Sequence, residues 1–247
     1  MGAAGVLIEK SPVAYRIQNL GASALQPLDA ASPLADRVYQ SILDAICDGG
    51  LKPGERLTQE DLAERLKVSR QPVLQALSLL RAQGFVEEAG RRGLRVAPVE
   101  APQVVRLYEV RGALDALAAR LAARDGAAEA RRSGPRLIEA GRAAIAAGDR
   151  ARLVAADQDF HRFLYGLSQN PLIGETADLH WRHIRRAMGA VLDDPREHRP
   201  VWDEHALILG AIAEGDEAGA EARARAHAEA AAERLVRRIE ASARAAA

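Results

Sequence analysis

Apolar residues recur at helical spacing soon after residue 32. Ser32-Pro33 supplies an N-cap and a proline suited to the first turn of a helix, and Gly49-Gly50 supplies a stop signal. Between them, apolar residues stand at four-residue intervals, at Leu34, Val38, Ile42 and Ile46. This spacing places them on one face, so the sequence predicts a first helix with a buried stripe.

Two shorter helical segments and a possible hairpin follow. Thr58 can cap the first segment, with Asp61 three residues on, and Ser69 precedes the second. Residues 85–88 and 94–97 are strand candidates on either side of a turn rich in glycine and arginine. Three short helices followed by a small β-hairpin are the element order of a winged helix-turn-helix.

The remainder of the chain has helical periodicity throughout. Six segments are separated by pairs that contain glycine or proline, and they cover about 103–124, 135–147, 150–168, 171–192, 200–214 and 216–243. The sequence therefore predicts a mainly α protein. It consists of an N-terminal extension (1–30), a winged helix-turn-helix domain with a small β-hairpin wing (31–98), a linker (99–102) and an all-α six-helix bundle (103–247).

Composition limits the classes of function. The 247 residues contain 34 Lys and Arg against 34 Asp and Glu, so nucleic acid cannot be held by bulk charge and only a local basic patch would serve. Cys47 is the single cysteine, which excludes an internal disulfide framework and a cysteine-based zinc finger. No apolar run reaches the roughly 20 residues of a membrane span, and no secretory signal is recognisable, so we expect a cytoplasmic protein without a membrane partner.

The second helix of a helix-turn-helix enters the major groove of DNA with its N-terminal residues near the base edges. Here that end carries Arg70 and Gln71, and these side-chain types pair with guanine and adenine respectively. Arginines in the hairpin would reach the DNA backbone or the minor groove. An ordinary solvated surface is the alternative, which the combination disfavours. The candidate DNA-binding residues are Ser69, Arg70, Gln71, Gln75, Arg91, Arg92 and Arg95.

Metal-ligating residue types occur on three helices of the predicted bundle. Asp157 and His161 are four residues apart and therefore share a helix face, while His205 and His227 belong to two later helices. One carboxylate and three imidazoles could converge in a bundle core. Imidazole suits zinc, nickel and related ions, and the carboxylate keeps manganese possible. Satisfied polar residues without a metal are the alternative.

The helix-turn-helix region contains a long, ordered set of motifs. They are Leu51-x-Pro53-Gly54-x-x-Leu57, Asp61-Leu62-Ala63-x-x-Leu66-x-Val68-Ser69-Arg70-x-Pro72-Val73, Ala76-Leu77-x-x-Leu80-x-x-x-Gly84 and Gly93-x-x-Val96. With these motifs, residues 33–98 resemble the DNA-binding domain of the GntR family of bacterial transcription regulators. The family usually has Arg-Glu after Pro-Val, where this chain has Leu74-Gln75, so one expected DNA-contacting arginine is missing.

The helical region also carries a family pattern. Its motifs are Arg111-Gly112-Ala113-Leu114, Asp157-x-x-Phe160-His161, Asn170-Pro171, Glu204-His205-x-x-Ile208, Gly215-Asp216-x-x-x-Ala220 and then His227. About residues 103–235 thus resemble the FCD ligand-binding domain of the FadR subfamily of GntR regulators. The resemblance implies one divalent ion per chain, zinc before nickel or manganese, bound by Asp157, His161, His205 and His227. It also implies that the pocket senses a small carboxylate effector and that the regulator is a repressor.

Arginine and histidine side chains are candidates for holding the effector carboxylate. Arg111 stands among apolar residues of the first bundle helix, and Arg182 and His183 belong to a polar cluster at residues 180–186. We therefore predict that Arg111, Arg182 and His183 bind the effector. A solvated basic face is the alternative for Arg185 and Arg186.

These features predict a homodimeric regulator, not an enzyme, that binds an inverted-repeat operator in double-stranded DNA, because two-fold protein symmetry is mirrored in the DNA. Two alternatives stay open. Three histidines and an aspartate around an ion also describe a metal-dependent hydrolase or lyase. The metal could instead be purely structural, in a regulator without an effector.

Overall fold

The structure is a computed structural model that describes residues 33–90, 93–191 and 195–246. The N-terminal part contains α1 (Pro33–Cys47), β1 (Arg56–Leu57), α2 (Gln59–Leu66), α3 (Arg70–Ala82), β2 (Val86–Glu88) and β3 (Leu94–Val96). The C-terminal part contains α4 (Ala101–Asp125), α5 (Ala127–Ala147), α6 (Arg150–Leu167), α7 (Pro171–Val191), α8 (Pro195–Glu214) and α9 (Glu217–Ala246). The predicted N-terminal extension, residues 1–30, lies outside the described residues.

The N-terminal part is a winged helix-turn-helix, as predicted. Thr58 Oγ1 accepts a hydrogen bond from the Asp61 amide at 3.1 Å and caps α2, and Lys67 ends that helix in the left-handed conformation, with φ of 54°. Ser69 stands at the N-cap position of α3, but its side chain makes no capping hydrogen bond. The strands form an antiparallel sheet of order β1-β3-β2. With two residues, β1 is too short to show a periodicity, so the sequence did not predict it.

The C-terminal part is the predicted mainly α bundle of six helices. Helix α4 packs along α9 and also borders α6, α7 and α8. Its packed face is rich in alanine, at Ala116, Ala118, Ala119 and Ala122, all fully buried, and small side chains let helix axes approach closely. None of the helices in the described ranges combines the length and apolarity needed to cross a membrane.

Two helices begin earlier than the sequence predicts. Helix α5 starts at Ala127 rather than near residue 135 and continues through Pro135, and α8 starts at Pro195 rather than near residue 200. The pair Gly134-Pro135 therefore does not end a helix. A Cβ atom at Gly134 would lie against the Leu209 side chain of α8, so this glycine permits close helix contact. Tertiary packing has overridden the local break signal.

Candidate functional site

The bundle brings together the four predicted metal ligands. His161 from α6, His205 from α8 and His227 from α9 are buried. Each ring contributes one nitrogen to a group of three that lie within 4.8 Å of one another. His205 Nε2 and His227 Nε2 are 3.2 Å apart. Asp157, one turn before His161, places Oδ1 at 3.6 Å from His205 Nε2 and 4.0 Å from His161 Nε2. Three helices thus direct four potential donors to one point.

Carboxylates stand behind two of the three histidines. His227 Nδ1 lies 2.7 Å from Glu204 Oε2, and His161 Nδ1 lies 3.3 Å from Asp115 Oδ2. Arg234 donates to both oxygens of Glu204, and the Tyr165 hydroxyl donates to Asp115 Oδ1 at 2.6 Å. The Glu204 contact places the proton of His227 on Nδ1, which leaves its Nε2 as a lone-pair donor. His161 Nδ1 makes no hydrogen bond among the described residues, but its Nε2 accepts from Arg111 and therefore also carries the lone pair.

The electrostatics keep two rings neutral and two carboxylates ionised. Burial lowers the pKa of His205 well below its usual value, and it also lowers the pKa of His227, against an opposing hydrogen bond to Glu204. Burial alone would raise the pKa of Glu204, but His227 and Arg234 bring it to about 2. Burial would also raise the pKa of Asp115. Its interactions with His161 and Arg111 outweigh burial and hold that pKa well below its usual value. Neutral imidazole is the form that binds metals.

Arg111 of α4 lies inside this cluster rather than beside it. The side chain is buried, and its Nη2 donates to His161 Nε2 at 2.6 Å and lies 3.5 Å from Asp157 Oδ2. The same guanidinium donates to Asp115 Oδ2 at 3.3 Å and to the Tyr108 hydroxyl at 3.1 Å. The sequence indicated Arg111 as an effector residue; the structure also places it on the candidate metal ligands.

A cavity of about 70 Å³ adjoins the cluster. Arg111, Asp157 and His227 line it at the cluster end, and Met188 and Leu235 provide apolar wall. A cavity with cationic and metal-ligating groups at one end and hydrocarbon on its wall suits a small anion with an apolar portion.

The other two predicted effector residues do not line this cavity. Arg182 is exposed, and its Nη1 donates to the Tyr39 hydroxyl of α1 at 2.8 Å. The His183 ring stacks on Phe85 of the winged helix-turn-helix, with ring centroids 4.3 Å apart. Arg182 and His183 thus contact the DNA-binding domain, because their face of α7 is turned towards α1 and the wing.

The neighbouring arginines of α7 make the same contact. Arg185 forms ion pairs with Asp44 at 2.7 Å and with Asp48 at 2.8 Å, both near the end of α1. Arg186 is buried and donates to the backbone carbonyls of Gly84, Ala97 and Pro98. The solvated face considered for this pair is therefore wrong for Arg186, and residues 182–186 form a clamp on the DNA-binding domain.

The candidate DNA-contacting residues of α3 lie at the surface. Ser69, Arg70, Gln71 and Gln75 are all exposed. Arg70 forms an exposed ion pair with Glu60, and Arg95 of β3 forms one with Glu87. Such exposed pairs hold little free energy and can be exchanged for phosphate or base contacts. Arg91 and Arg92 lie outside the described residues.

Sequence reasoning missed the groups that position the ligands. Asp115 and Glu204 became recognisable only from their contacts with His161 and His227. Two signals were present, because Asp115 is one helical turn after Arg111 and Glu204 directly precedes His205. Neither spacing distinguishes a buried partner from a solvated acid.

Known proteins match both parts of the chain. Residues 34–96 match the bacterial regulatory proteins of the gntR family, and residues 106–230 match the FCD domain. The Nta operon transcriptional regulator of Aminobacter aminovorans is 32% identical over 177 residues, which cover 67% of this chain and 77% of that protein. The HTH-type transcriptional regulator Rv0494 of Mycobacterium tuberculosis is 34% identical over 228 residues, which cover 80% and 87% respectively.

Solved structures agree with this assignment. A GntR regulator from Rhodococcus sp. RHA1 superposes with a TM-score of 0.70 at 25% identity, covering 82% of this chain and 97% of that one. E. coli McbR has the same fold, with a TM-score of 0.67 at 23% identity and coverage of 84% and 99%. Since these relatives are regulators, the hydrolase or lyase alternative is set aside. The chain belongs to the GntR family of bacterial regulatory proteins and is a DNA-binding transcriptional regulator with a C-terminal FCD domain.

Proposed function

We propose that this regulator binds its operator as a homodimer and that a small carboxylate, bound beside a divalent ion in the FCD domain, controls operator affinity. The observation that carries the proposal is the convergence of three buried histidines and Asp157 at one end of a partly open cavity. A sensor needs such a ligand-sized space beside the metal, whereas a purely structural metal does not.

The donor set fits a divalent ion. Two nitrogens bound about 2.0–2.1 Å from one zinc ion at a tetrahedral angle are roughly 3.3 Å apart, and His205 Nε2 and His227 Nε2 are 3.2 Å apart. Asp157 Oδ2 is buried and makes no hydrogen bond among the described residues, although Arg111 Nη2 lies at ion-pair distance, 3.5 Å away. His161, His205, His227 and Asp157 would hold the ion, which would act as a Lewis acid for an effector carboxylate. Zinc suits this set best, with nickel or manganese as alternatives.

The exposed candidate residues of α3 support binding to an inverted repeat. One winged helix-turn-helix contacts only a few base pairs, so two of them related by two-fold symmetry are needed to recognise a specific site. We assign base or phosphate contacts to Ser69, Arg70, Gln71, Gln75, Arg91, Arg92 and Arg95. A relative from Paenarthrobacter nicotinovorans that is 29% identical is named as a probable D-xylose utilization operon transcriptional repressor, which supports repression here.

Helix α7 connects the cavity with the DNA-binding domain. The Arg111 guanidinium lies over the Trp181 ring, 5.6 Å from its centroid, and Met188 lines the cavity. Between these two residues, Arg185 and Arg186 hold the DNA-binding domain. An effector that moves Arg111 would thus act on the helix that positions the DNA-binding domain. This path adds to the direct connection of α4 through the residues after Pro98.

Fluorescence anisotropy on a labelled operator tests the proposal. Full-length protein is stripped with a chelator, reloaded with zinc, and titrated with small mono- and dicarboxylic acids. We expect one acid class to weaken operator binding of the zinc-loaded protein and to leave the stripped protein unaffected. If zinc raises the melting temperature but no acid changes operator binding, the metal is structural and the sensor proposal fails.

A further inference from the structure

We propose that Arg111 is a built-in competitor of the divalent ion: its guanidinium holds His161 and Asp157 until metal loading displaces it and readies it for the effector carboxylate. This inference rests on the metal and effector site proposed above. It adds an order of events, in which the ion must bind before the arginine is available.

The competition follows from the contacts of one nitrogen. Arg111 Nη2 donates to His161 Nε2 at 2.6 Å and lies 3.5 Å from Asp157 Oδ2. A neutral imidazole has only one lone pair, on the nitrogen that carries no proton. Since an arginine nitrogen can only donate, the 2.6 Å contact makes His161 Nε2 the acceptor, so that lone pair is on Nε2. The guanidinium therefore uses the electron pair that a metal ion would need.

Electrostatics prevent both cations from sharing these donors. Arginine carries donors only and stays protonated in proteins, so it cannot become a ligand. An ion bound to His161 Nε2 would stand next to Nη2 in a buried site, where like charges repel strongly. Metal binding must break the Arg111–His161 hydrogen bond.

The remaining contacts define where the guanidinium can go. Its Nε and Nη1 are held by Asp115 and Tyr108, which do not belong to the ligand set. The cavity is lined by both Tyr108 and Arg111. A rotation that keeps the Asp115 and Tyr108 contacts and releases Nη2 would turn that nitrogen towards the cavity, where a carboxylate can accept its protons.

A merely structural arginine makes the opposite prediction. If Arg111 only supports the cluster, its removal loosens His161 and Asp157 and weakens metal binding. If it competes, a neutral replacement leaves both donors unoccupied and strengthens metal binding. The sign of the change in zinc affinity separates the two roles without DNA, effector or activity.

Zinc affinity is measured by competition with a chromophoric chelator on chelator-stripped full-length protein. The variants are Arg111→Gln and, as a matched control, Arg234→Gln, which removes the same charge from another arginine that lines the cavity but is bound to Glu204. Circular dichroism verifies that each variant is folded. We expect Arg111→Gln to bind zinc roughly ten- to a hundredfold more tightly than wild type, the scale of one lost charge-assisted hydrogen bond.

The outcomes separate this inference from the proposed function. Wild type that binds zinc while Arg111→Gln binds equally or more weakly overturns the competition and leaves the metal site standing. A gain that Arg234→Gln matches reflects general electrostatics and also overturns it. Zinc binding by Arg111→Gln alone supports the competition and shows that it keeps the wild type unloaded. Binding by neither protein refutes the metal site and the competition together.

Crystal structures of the wild type provide a test that does not depend on a variant. Without zinc, the Arg111 Nη2 to His161 Nε2 hydrogen bond should be present, and with zinc it should be broken while Arg111 still contacts Asp115. The same hydrogen bond in both crystals would refute the displacement of Arg111.

Discussion

Single residues position the candidate ligands by two different physical means. Glu204 orients His227 through Nδ1, and Arg111 orients His161 through a hydrogen bond to Nε2. His161 and His205 both have no hydrogen-bond partner for Nδ1 among the described residues, and aromatic packing holds the His205 ring. Phe160 stacks on it with ring centroids 4.2 Å apart, and Trp202 meets it edge-on at 4.9 Å. His205 is therefore the candidate ligand most dependent on the core around it.

His205→Ala should empty or severely weaken the metal site, because it removes one of three converging imidazoles. Elemental analysis of protein prepared without chelator measures the ion per chain. The matched control is His180→Ala, which removes a half-buried histidine of α7 outside the histidine cluster and should leave the metal content unchanged. Equal metal content in both variants would rule out His205 as a ligand.

Arg70→Ala should reduce specific operator binding by about 1–3 kcal/mol and relax sequence preference, as expected for a base-reading arginine. The fold should be unaffected, since Arg70 is exposed and its ion pair with Glu60 is a surface pair. Operator and random duplexes are compared at one salt concentration. Arg81→Ala, at the far end of α3 and paired with Glu88, is the control. Equal losses on both duplexes would contradict base reading by Arg70.

Pairs of helices fit together where glycine replaces a side chain. Gly141 of α5 faces Trp202 of α8, and a Cβ atom there would overlap the indole ring. Trp202 is one of the largest fully buried side chains of the described residues and also contacts His205. The α5–α8 contact thus supports the candidate site from behind, and its glycine is a packing residue with ordinary helical backbone.

Gly141→Ala should lower the free energy of unfolding by about 1–3 kcal/mol, since overpacking against a rigid ring outweighs the helix propensity gained. Gly210→Ala in α8 is the matched control, because no atom lies within 4 Å of a Cβ at that position. That variant should be unchanged or stabilised by up to about 1 kcal/mol. Urea unfolding measures both, and a stable Gly141→Ala protein would show that Trp202 can move.

The two parts of the whole molecule are joined by the clamp of α7. Gly189 contributes to the same contact, since its Cβ would overlap the Cys47 carbonyl at the end of α1. The clamp combines ion pairs of Arg185, carbonyl contacts of Arg186 and the stacking of His183 on Phe85. Polar contacts of this kind can be rearranged more easily than an apolar interface, which suits a junction that transmits a signal.

Arg185→Ala should reduce the effect of the effector on operator affinity, because it removes the ion pairs from α7 to Asp44 and Asp48. A coupling of about 1–3 kcal/mol corresponds to a 5–150-fold change in affinity, and this ratio should shrink in the variant. Arg162→Ala, which removes an ion pair with Asp178 within the bundle, is the control. An unchanged ratio in Arg185→Ala would exclude this route.

Acid should destabilise the folded chain, because folding lowers the pKa values of three histidines. Burial, together with the charge of Arg186, lowers the pKa of His183 from 6.5 to about 4. Between these values the unfolded chain takes up a proton that the folded chain refuses, so the free energy of unfolding falls as pH drops from about 6.5 to about 4. Burial gives His205 and His227 the same sign. Melting temperatures at pH 7 and pH 5 test this, and His183→Gln should show a smaller decrease than wild type.

The sequence by itself determined the elements and the chemical types at the site. Helical spacing, N-caps such as Thr58 and stops such as Gly84 act within a few residues, so the winged helix-turn-helix and the six bundle helices were predictable. The same holds for Asp157 and His161, because a separation of four residues fixes a shared face. The helix boundary predicted at Gly134-Pro135 was wrong, because the packing of Gly134 against Leu209 is not local and overrides the break signal.

Only the tertiary structure decided which polar residues meet. His161 contacts Arg111 and Asp115, which are about fifty residues away in the sequence. Residues 182–186 contact α1 and the wing, which are more than eighty residues away. The sequence of α7 reads as a polar face in either case, because helical periodicity identifies a face but not the partner that covers it. Partners are set by how helices pack, which depends on the summed burial of many side chains. For that reason the sequence predicted the candidate ligands, whereas the contact of Arg111 with His161 and the domain clamp emerged from the fold.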